Sequence, residues 1–586
     1  MLIDRLTRRA FLSGSSAAAV AAAGSSVFWT LQLRAEMPMP KASGPLDESL
    51  DTYIGAYMAA MNAPGMTLGL TDIRGTLRTA GYGFGDVDKR LPVTPDLLFQ
   101  IGSITKSFVG LVLLQLREEG KLELDKPVLD YLPDLPIACP FGPITIHHLL
   151  THTSGLPDNL GLFAGDPAAR LLQGFKPGEH FHYCNAGFDI LGLLASKLDG
   201  RPWRECVAAR ILAPLEMTAT TSVITTSSRN RSPVGYQPYW DDQVYPRQGR
   251  LAPAPNLVMD DAAGCIASTP GDMACYARML ANHGNGPKGR IVSEESFGLF
   301  STPYVKSPDL SPTASYGYGI AVDTLDGHKI LRHTGGMVAF ASSIHVDLDG
   351  GVAAFASINA MQGYRPTAVT EFAVRLLRAR HDGQNLPAAP PIVDPREVDN
   401  PAEYTGMFTA PGGQTLKFVA QGKNVALVAE GKTVPLQYAD DDSFVSTSEG
   451  AFSSAAFKFG RAPEPEPKGN GGGKKPKQPV VEVAYGGRWF TNDAYKGPRT
   501  FHIPAEWSAY EGRYRCDSPW GGDVRVCVIK DRLTLDGNRL EPVGGALFRI
   551  GDESWNPDTA EFLHLFQGKA RLLRLTGADF LRIEVD

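Results

Sequence analysis

Cysteine is scarce, with seven in 586 residues: Cys139, Cys184, Cys206, Cys265, Cys275, Cys516 and Cys527. None are spaced as Cys-x-x-Cys, which excludes the common zinc and thioredoxin patterns. Net charge is only −6 and no long basic stripe is present, which argues against nucleic acid as a main partner. After the first 35 residues no apolar run reaches the roughly 18 needed to span a bilayer. The chain also lacks the Gly-x-Ser-x-Gly elbow of α/β-hydrolases, His-Glu-x-x-His and any Walker-type phosphate loop. With no such motif, nothing asks for a metal or a cofactor. His147, His148, His152, His180 and His182 have no carboxylate at matching spacing and read as packed or turn residues.

Glycine (62) and proline (44) run above ordinary usage and favour turns and β-structure. Hydrophobic residues at 43% and charged residues at 20% are those of a globular chain. The N-terminus reads as an address. Thr7-Arg8-Arg9-Ala10-Phe11-Leu12 precedes the weakly apolar stretch Ala17 to Ala23, the layout of a signal peptide over residues 1–35. The paired arginines followed by Phe-Leu point to twin-arginine export. A periplasmic or extracellular protein is expected, with no stable membrane span unless the signal stays uncleaved. Sparse cysteines fit cargo that folds before it meets an oxidising compartment.

Residues 45–380 read as one α+β block. Helical spacing covers Leu46–Met61, Thr105–Glu119, Asn185–Leu198, Trp203–Leu215, Gly271–Asn282 and Pro366–Arg380. Gly65–Gly85 holds two alternating runs around Asp72-Ile73-Arg74-Gly75, a hairpin signal. Strand-like runs follow at Tyr316–Thr324, His328–His333, Ala339–Val346 and Gly351–Ile358. Helices around a mostly antiparallel sheet, with strands from both ends of the segment, are the expectation. A Pro-rich polar linker occupies 381–400. Beyond it, Tyr404-Thr405-Gly406-Met407-Phe408 matches Tyr510-Glu511-Gly512-Arg513-Tyr514. Both copies continue as short alternating strands, so residues 401–498 and 504–586 read as two small antiparallel β-barrels. The Pro/Gly/Lys/Glu tract 462–479 reads as a mobile insertion in the first. Cys516 and Cys527 flank a turn-rich stretch; they either bridge two paired strands or stay as two small apolar residues.

The chemistry sits in the first block. In Gly102-Ser103-Ile104-Thr105-Lys106, a serine and a lysine three apart share one helix face. The apolar run Phe108–Leu116 marks a buried helix, so Lys106 at its start is drawn out of water. Desolvation favours the neutral amine, which can take the Ser103 proton. The helix N-terminus offers N–H groups to an oxyanion. A second element, Phe181-His182-Tyr183-Cys184-Asn185, places a tyrosine before a helix, where it can share proton traffic. Asn185 either binds a substrate amide, holds Lys106, or caps the helix. A third element, His333-Thr334-Gly335-Gly336, ends a strand with glycines that allow close approach of a ligand.

In order and spacing these three elements resemble the penicillin-recognising serine hydrolases: class C β-lactamases, D-Ala-D-Ala carboxypeptidases, D-aminopeptidases and related esterases. Leu149 to Leu156 (Leu-Leu-Thr-His-Thr-Ser-Gly-Leu) and Ala263 to Thr269 are similar to that family as well. The resemblance covers about residues 45–380 and implies a β-lactamase-like domain followed by two lipocalin-like barrels. It assigns Ser103 as acylated nucleophile, Lys106 as its base partner and Tyr183 as proton relay. Asn185, His333, Thr334 and Gly335 become substrate contacts, and the N–H groups of Ser103 and Gly336 the oxyanion hole. Class C β-lactamases carry lysine where this chain has His333. Histidine there resembles the peptidase and esterase branches, as do the paired barrels. The expected partner is a small peptide, a β-lactam or an ester, and a homodimer is compatible with the resemblance. The expected function is a peptidase or amidase, with β-lactamase or carboxylesterase as alternatives within the family. A non-catalytic penicillin-binding sensor of cell-wall fragments is the alternative outside enzymes. A barrel loop is further expected over the cleft, with Asp517 meeting a substrate amine.

Overall fold

The computed structural model describes residues 36–158, 171–238, 251–308, 310–361, 365–429, 431–446, 452, 455–463, 477–518 and 520–583. The expected signal segment, residues 1–35, and most of the expected insertion 462–479 lie outside the described residues. Among the described residues no helix is long and apolar enough to cross a membrane.

Helix α1 (Pro45–Met61) opens the first block with proline in its first turn and ends on Asn62, whose φ of 52° stops it. A hairpin follows, β1 (Gly65–Asp72) and β2 (Thr76–Asp86). Its turn closes because Asp72 Oδ1 accepts the N–H groups of Arg74 (2.7 Å) and Gly75 (3.0 Å). After the short β3 (Leu91–Pro92) come helices α2 (Thr105–Glu118), α3 (Ile146–Leu150), α4 (Asn185–Asp199) and α5 (Pro270–Ala281). Strands β4 (Val305–Lys306), β5 (Ser315–Tyr316), β6 (Ala321–Leu325), β7 (His328–Met337), β8 (Phe340–Asp347) and β9 (Val352–Ile358) precede α6 (Thr367–His381).

The nine strands form one antiparallel sheet in the order β4-β5-β6-β7-β8-β9-β1-β2-β3, so the first and last strands of the block pair at its centre. Both β1 and β9 are buried along their whole length because helices cover both faces. Side chains of β9 alternate: Ala354 and Ala356 meet the α1/α6 layer, while Ala353 and Phe355 meet the core built around α2 and α4. Eleven of the 14 residues of α2 are buried. The two barrels close as eight antiparallel strands each, from Gly406 to Thr491 and from Gly512 to Ile583. The repeated segment starts each barrel, and Phe408 and Tyr514 occupy equivalent, fully buried core positions.

The α+β domain and the two barrels agree with the sequence expectation. Two local readings need correction. The expected helix Trp203–Leu215 is a short α-helix, Trp203–Val207, that widens into a π-helical turn, Ala208–Leu212, ahead of Pro214. The single strand expected over Tyr316–Thr324 is broken at Gly317–Ile320, because Gly319 adopts φ 78° and packs on the Lys106 carbonyl. All seven cysteines are free thiols, Cys516 and Cys527 included.

Candidate active site

Ser103 lies in a single 3-10 turn, Gly102–Ile104, that leads into α2. Gly102 makes this approach possible with a left-handed φ of 55°; a Cβ there would stand 2.6 Å from Gly336 N. Gly335 is tighter still, since a Cβ would fall 1.8 Å from the Ile101 carbonyl oxygen. The two glycines therefore press the end of β7 against the serine turn, and bring the backbone of residues 102–103 to that of Gly336.

Lys106 is fully buried, whereas Ser103 is half-buried. Its Nζ lies 3.1 Å from Ser103 Oγ, 2.7 Å from Asn185 Oδ1 and 2.8 Å from the Ala263 carbonyl oxygen. It also sits 4.9 Å from the Tyr183 ring centroid. Three of the predicted groups, Ser103, Lys106 and Asn185, are thus joined by direct contacts. Tyr183 stands over the amine, and its hydroxyl makes no hydrogen bond to Ser103 among the described residues. Asn185 opens α4 but does not cap it; Cys184 Sγ accepts the Gly187 N–H at 3.2 Å and serves as the cap. That leaves the Asn185 amide for Lys106 on one side and for Asp158 Oδ1 on the other, at 3.2 Å.

His333 departs from the sequence expectation of a substrate contact. It is buried, its Nε2 lies 2.8 Å from the Tyr316 hydroxyl and its Nδ1 2.7 Å from the Thr334 carbonyl oxygen. Nδ1–H donating and Nε2 accepting is the tautomer this network requires. Burial, with Lys106 and Arg332 nearby, lowers its pKa to about 3, so the imidazole stays neutral. Thr334 and Gly336, half-buried on the same strand, are the members of the motif left facing outward.

Sequence reasoning left five side chains at the site without roles. His152, in the Thr-His-Thr-Ser-Gly stretch already singled out, takes a left-handed φ of 57° and stacks on Tyr183 at 4.2 Å. Its Nδ1 accepts the Cys184 N–H at 3.0 Å, so it fixes the segment that carries Tyr183. Burial, then Lys106, His333 and His182, hold its pKa well below the usual range. Asp158 Oδ1 accepts the Asn185 backbone N–H at 3.0 Å. Burial, reinforced by Asp558, pushes its pKa up to about 7. Asp189 and Asp261 flank the turn that presents Ala263. Asp261 Oδ1 accepts the Gly264 N–H at 2.8 Å, and burial with the Asp261 charge raises Asp189 to about 7. Arg365 places its guanidinium against Gly336, 2.4 Å from where a Cβ would be. No spacing signal in the sequence links these positions to the motifs; only the fold does.

Residues 50–379 match the beta-lactamase family model, more than half of the chain. The chain belongs to that family. The family is of serine hydrolase type. Among curated relatives, Protein flp of Staphylococcus aureus strain MW2 is 27% identical over 311 residues, 51% of this chain and 60% of that protein. The chain thus spans about 60% of the length of that relative. Penicillin-binding protein 4 of Amycolatopsis lactamdurans is 27% identical over 371 residues, 60% of this chain and 94% of that protein. Among solved structures, the octameric penicillin-binding protein homologue from Pyrococcus abyssi superposes with a TM-score of 0.52 at 25% identity, covering 76% of this chain and 99% of that one.

Proposed function

We propose that this chain is an exported serine hydrolase that cleaves small peptides or amides through an acyl-enzyme on Ser103. The observation that carries the reading is the buried Lys106 amine, 3.1 Å from the half-buried Ser103 hydroxyl and anchored by Asn185 and Ala263. Ser103 Oγ attacks the substrate carbonyl, and its proton passes to the Lys106/Tyr183 pair. Delivery to Nζ requires the neutral amine, with the Ser103 O–H turned to donate to it. The tetrahedral oxyanion is held by the N–H groups of Ser103 and Gly336. Tyr183 hands the proton to the leaving amine as the C–N bond breaks. Water then attacks the acyl carbon by the reverse proton path and releases Ser103. Thr334 and the remaining Asn185 N–H align the substrate backbone, while Gly335 keeps the strand end against the serine turn.

The preference for peptides or amides rests on His333. The strand holds a neutral, internally bonded imidazole there, so no cation at that position draws a substrate carboxylate. A second reading, a β-lactam or a peptide with a free carboxylate, is favoured by Arg365, whose guanidinium lies against Gly336. Export to the periplasm or beyond follows from the twin-arginine sequence at Arg8-Arg9.

A fluorophosphonate or fluorescent-penicillin probe tests the core of this reading. Wild type acquires one label, and Ser103→Ala, folded by circular dichroism, acquires none. Full labelling of that variant moves the nucleophile elsewhere. Turnover of D- and L-peptides, p-nitrophenyl esters and a chromogenic cephalosporin then fixes the substrate class, and permanent acylation without turnover identifies a sensor.

A further inference from the structure

The second barrel reaches the catalytic domain beside the active site. Its loop 551–558 joins two barrel strands, Leu547–Ile550 and Thr559–Phe566. Trp555 stacks on His180, with ring centroids 4.4 Å apart and planes 9° apart, and stands edge-on to Phe175 at 5.4 Å. Pro557 fits so closely on Gly174 that a Cβ at residue 174 would stand 2.6 Å from Pro557 Cα. Asn556, Pro557 and Asp558 are buried in the seam. Asp517, expected over the cleft, is exposed on a different loop of this barrel, and its neighbour Trp520 packs on the α1/α6 core.

Asp558 is the polar end of this contact and is nearly inaccessible, at 1% exposure. Its Oδ1 accepts the Asp158 backbone N–H at 3.1 Å, and its Oδ2 lies 3.6 Å from His182 Nε2. The second separation exceeds a hydrogen bond, and among the described residues neither atom has a hydrogen-bond partner. From Asp158 the contacts continue without a break. Asp158 Oδ1 accepts from the Asn185 N–H, Asn185 Oδ1 accepts from Lys106, and Lys106 meets Ser103. His182 precedes Tyr183, and its backbone N–H donates to the His152 carbonyl at 2.8 Å.

We propose that Asp558, supplied by the C-terminal barrel, is a positioning residue for the hydrolase site: through Asp158 and Asn185 it holds Lys106 in register with Ser103. The barrel is then a working part of the enzyme. A carboxylate buried at a domain seam is costly unless its hydrogen bond does something. Here that bond fixes the one loop whose side chain grips Asn185 at both its N–H and its amide.

This inference rests on the acyl-enzyme reading, and one experiment separates the two. The second-order rate of fluorophosphonate labelling is measured on the full chain for wild type, Asp558→Ala, Asp558→Asn and Gly174→Ala, with melting temperature recorded for each. Absence of label on wild type defeats the acyl-enzyme reading itself. With wild type labelled, Asp558→Ala slows labelling by about tenfold or more, the scale of a small misplacement of reacting groups. Asp558→Asn, whose Oδ1 still accepts the Asp158 N–H, restores most of the rate, which a loss of bulk stability would not do. Gly174→Ala, which displaces Pro557 while leaving every bonded group intact, slows labelling as well and decides the matter where Asp558→Ala does not fold. Wild-type labelling rates in folded Asp558→Ala or Gly174→Ala overturn the proposal.

Discussion

Lys106 is surrounded by three acceptors and an aromatic face, so its removal takes the amine away from Ser103 and leaves Asn185 Oδ1 and the Ala263 carbonyl without its N–H groups. Lys106→Ala is expected to slow acylation by about a thousandfold in stopped-flow labelling, and an unchanged rate removes the amine from the base role. Asp189 offers a second test at this scale, on stability. Burial and Asp261 raise its pKa from 3.8 to about 7. Between about pH 4 and pH 7 the unfolded chain is ionised at this position while the folded chain keeps its proton. Folding therefore weakens as pH rises through that window, and the loss is complete above it. Asp189→Asn removes the effect. Its melting temperature is expected to exceed that of wild type at pH 8, with the gain vanishing near pH 4; a gain equal at both pH values rejects the assignment. Arg365 separates the two substrate readings. Arg365→Ala lowers kcat/KM at least tenfold on carboxylate-bearing substrates and leaves neutral esters alone if the guanidinium is the anchor; equal losses on both classes assign it a structural part.

Among the elements, the nucleophile turn and β7 depend on each other. Gly335→Ala would drive a methyl group into the Ile101 carbonyl, so the strand must withdraw from residues 101–103. Loss of labelling by about a hundredfold, with about 2 kcal/mol of destabilisation in urea, is expected; a well-labelled, stable variant means the strand end is not the wall of the site. The legibility of the sequence divides along this line. Helix α2 was readable because its apolar run is buried on every side, and the barrels because period-2 runs recur after the same tyrosine-glycine start. Spacing within two segments singled out Ser103 with Lys106 and Tyr183 with Asn185, and the fold brings Ser103, Lys106 and Asn185 into direct contact. His333 misled, since its type and strand position do not reveal that Tyr316, 17 residues upstream, takes its outer nitrogen. Gly319 was hidden for a similar reason: the residue it packs against, Lys106, is distant in sequence. Asp158, Asp189 and Asp261 resemble ordinary loop or helix acids until long-range packing removes water from them.

At the scale of the whole molecule, a seam between two folded units transmits free energy only where their contacts are specific. The seam here is built from Trp555 on His180 and Phe175, Pro557 on Gly174, and Asp558 on Asp158. Apart from Asp158, the catalytic side of that seam, Gly174 to His182, runs straight into Tyr183. An adduct on Ser103 stabilises the catalytic domain through the contacts that only the folded site makes with it, and the docked barrel shares in the gain because its unfolding breaks contacts made by the same segment. Calorimetry of the fluorophosphonate adduct is therefore expected to raise the melting transition of the second barrel together with that of the catalytic domain. In Trp555→Ala, which removes about 2 kcal/mol of aromatic contact from the seam, the adduct should raise the catalytic transition alone. The first barrel has a core of its own, around Phe408, Phe418 and Phe459, and meets the second through Lys530 on Glu482, so its transition reports whether the coupling extends that far. A second-barrel transition that is indifferent to the adduct in wild type means that the two units are merely adjacent, and the catalytic domain works without its neighbour.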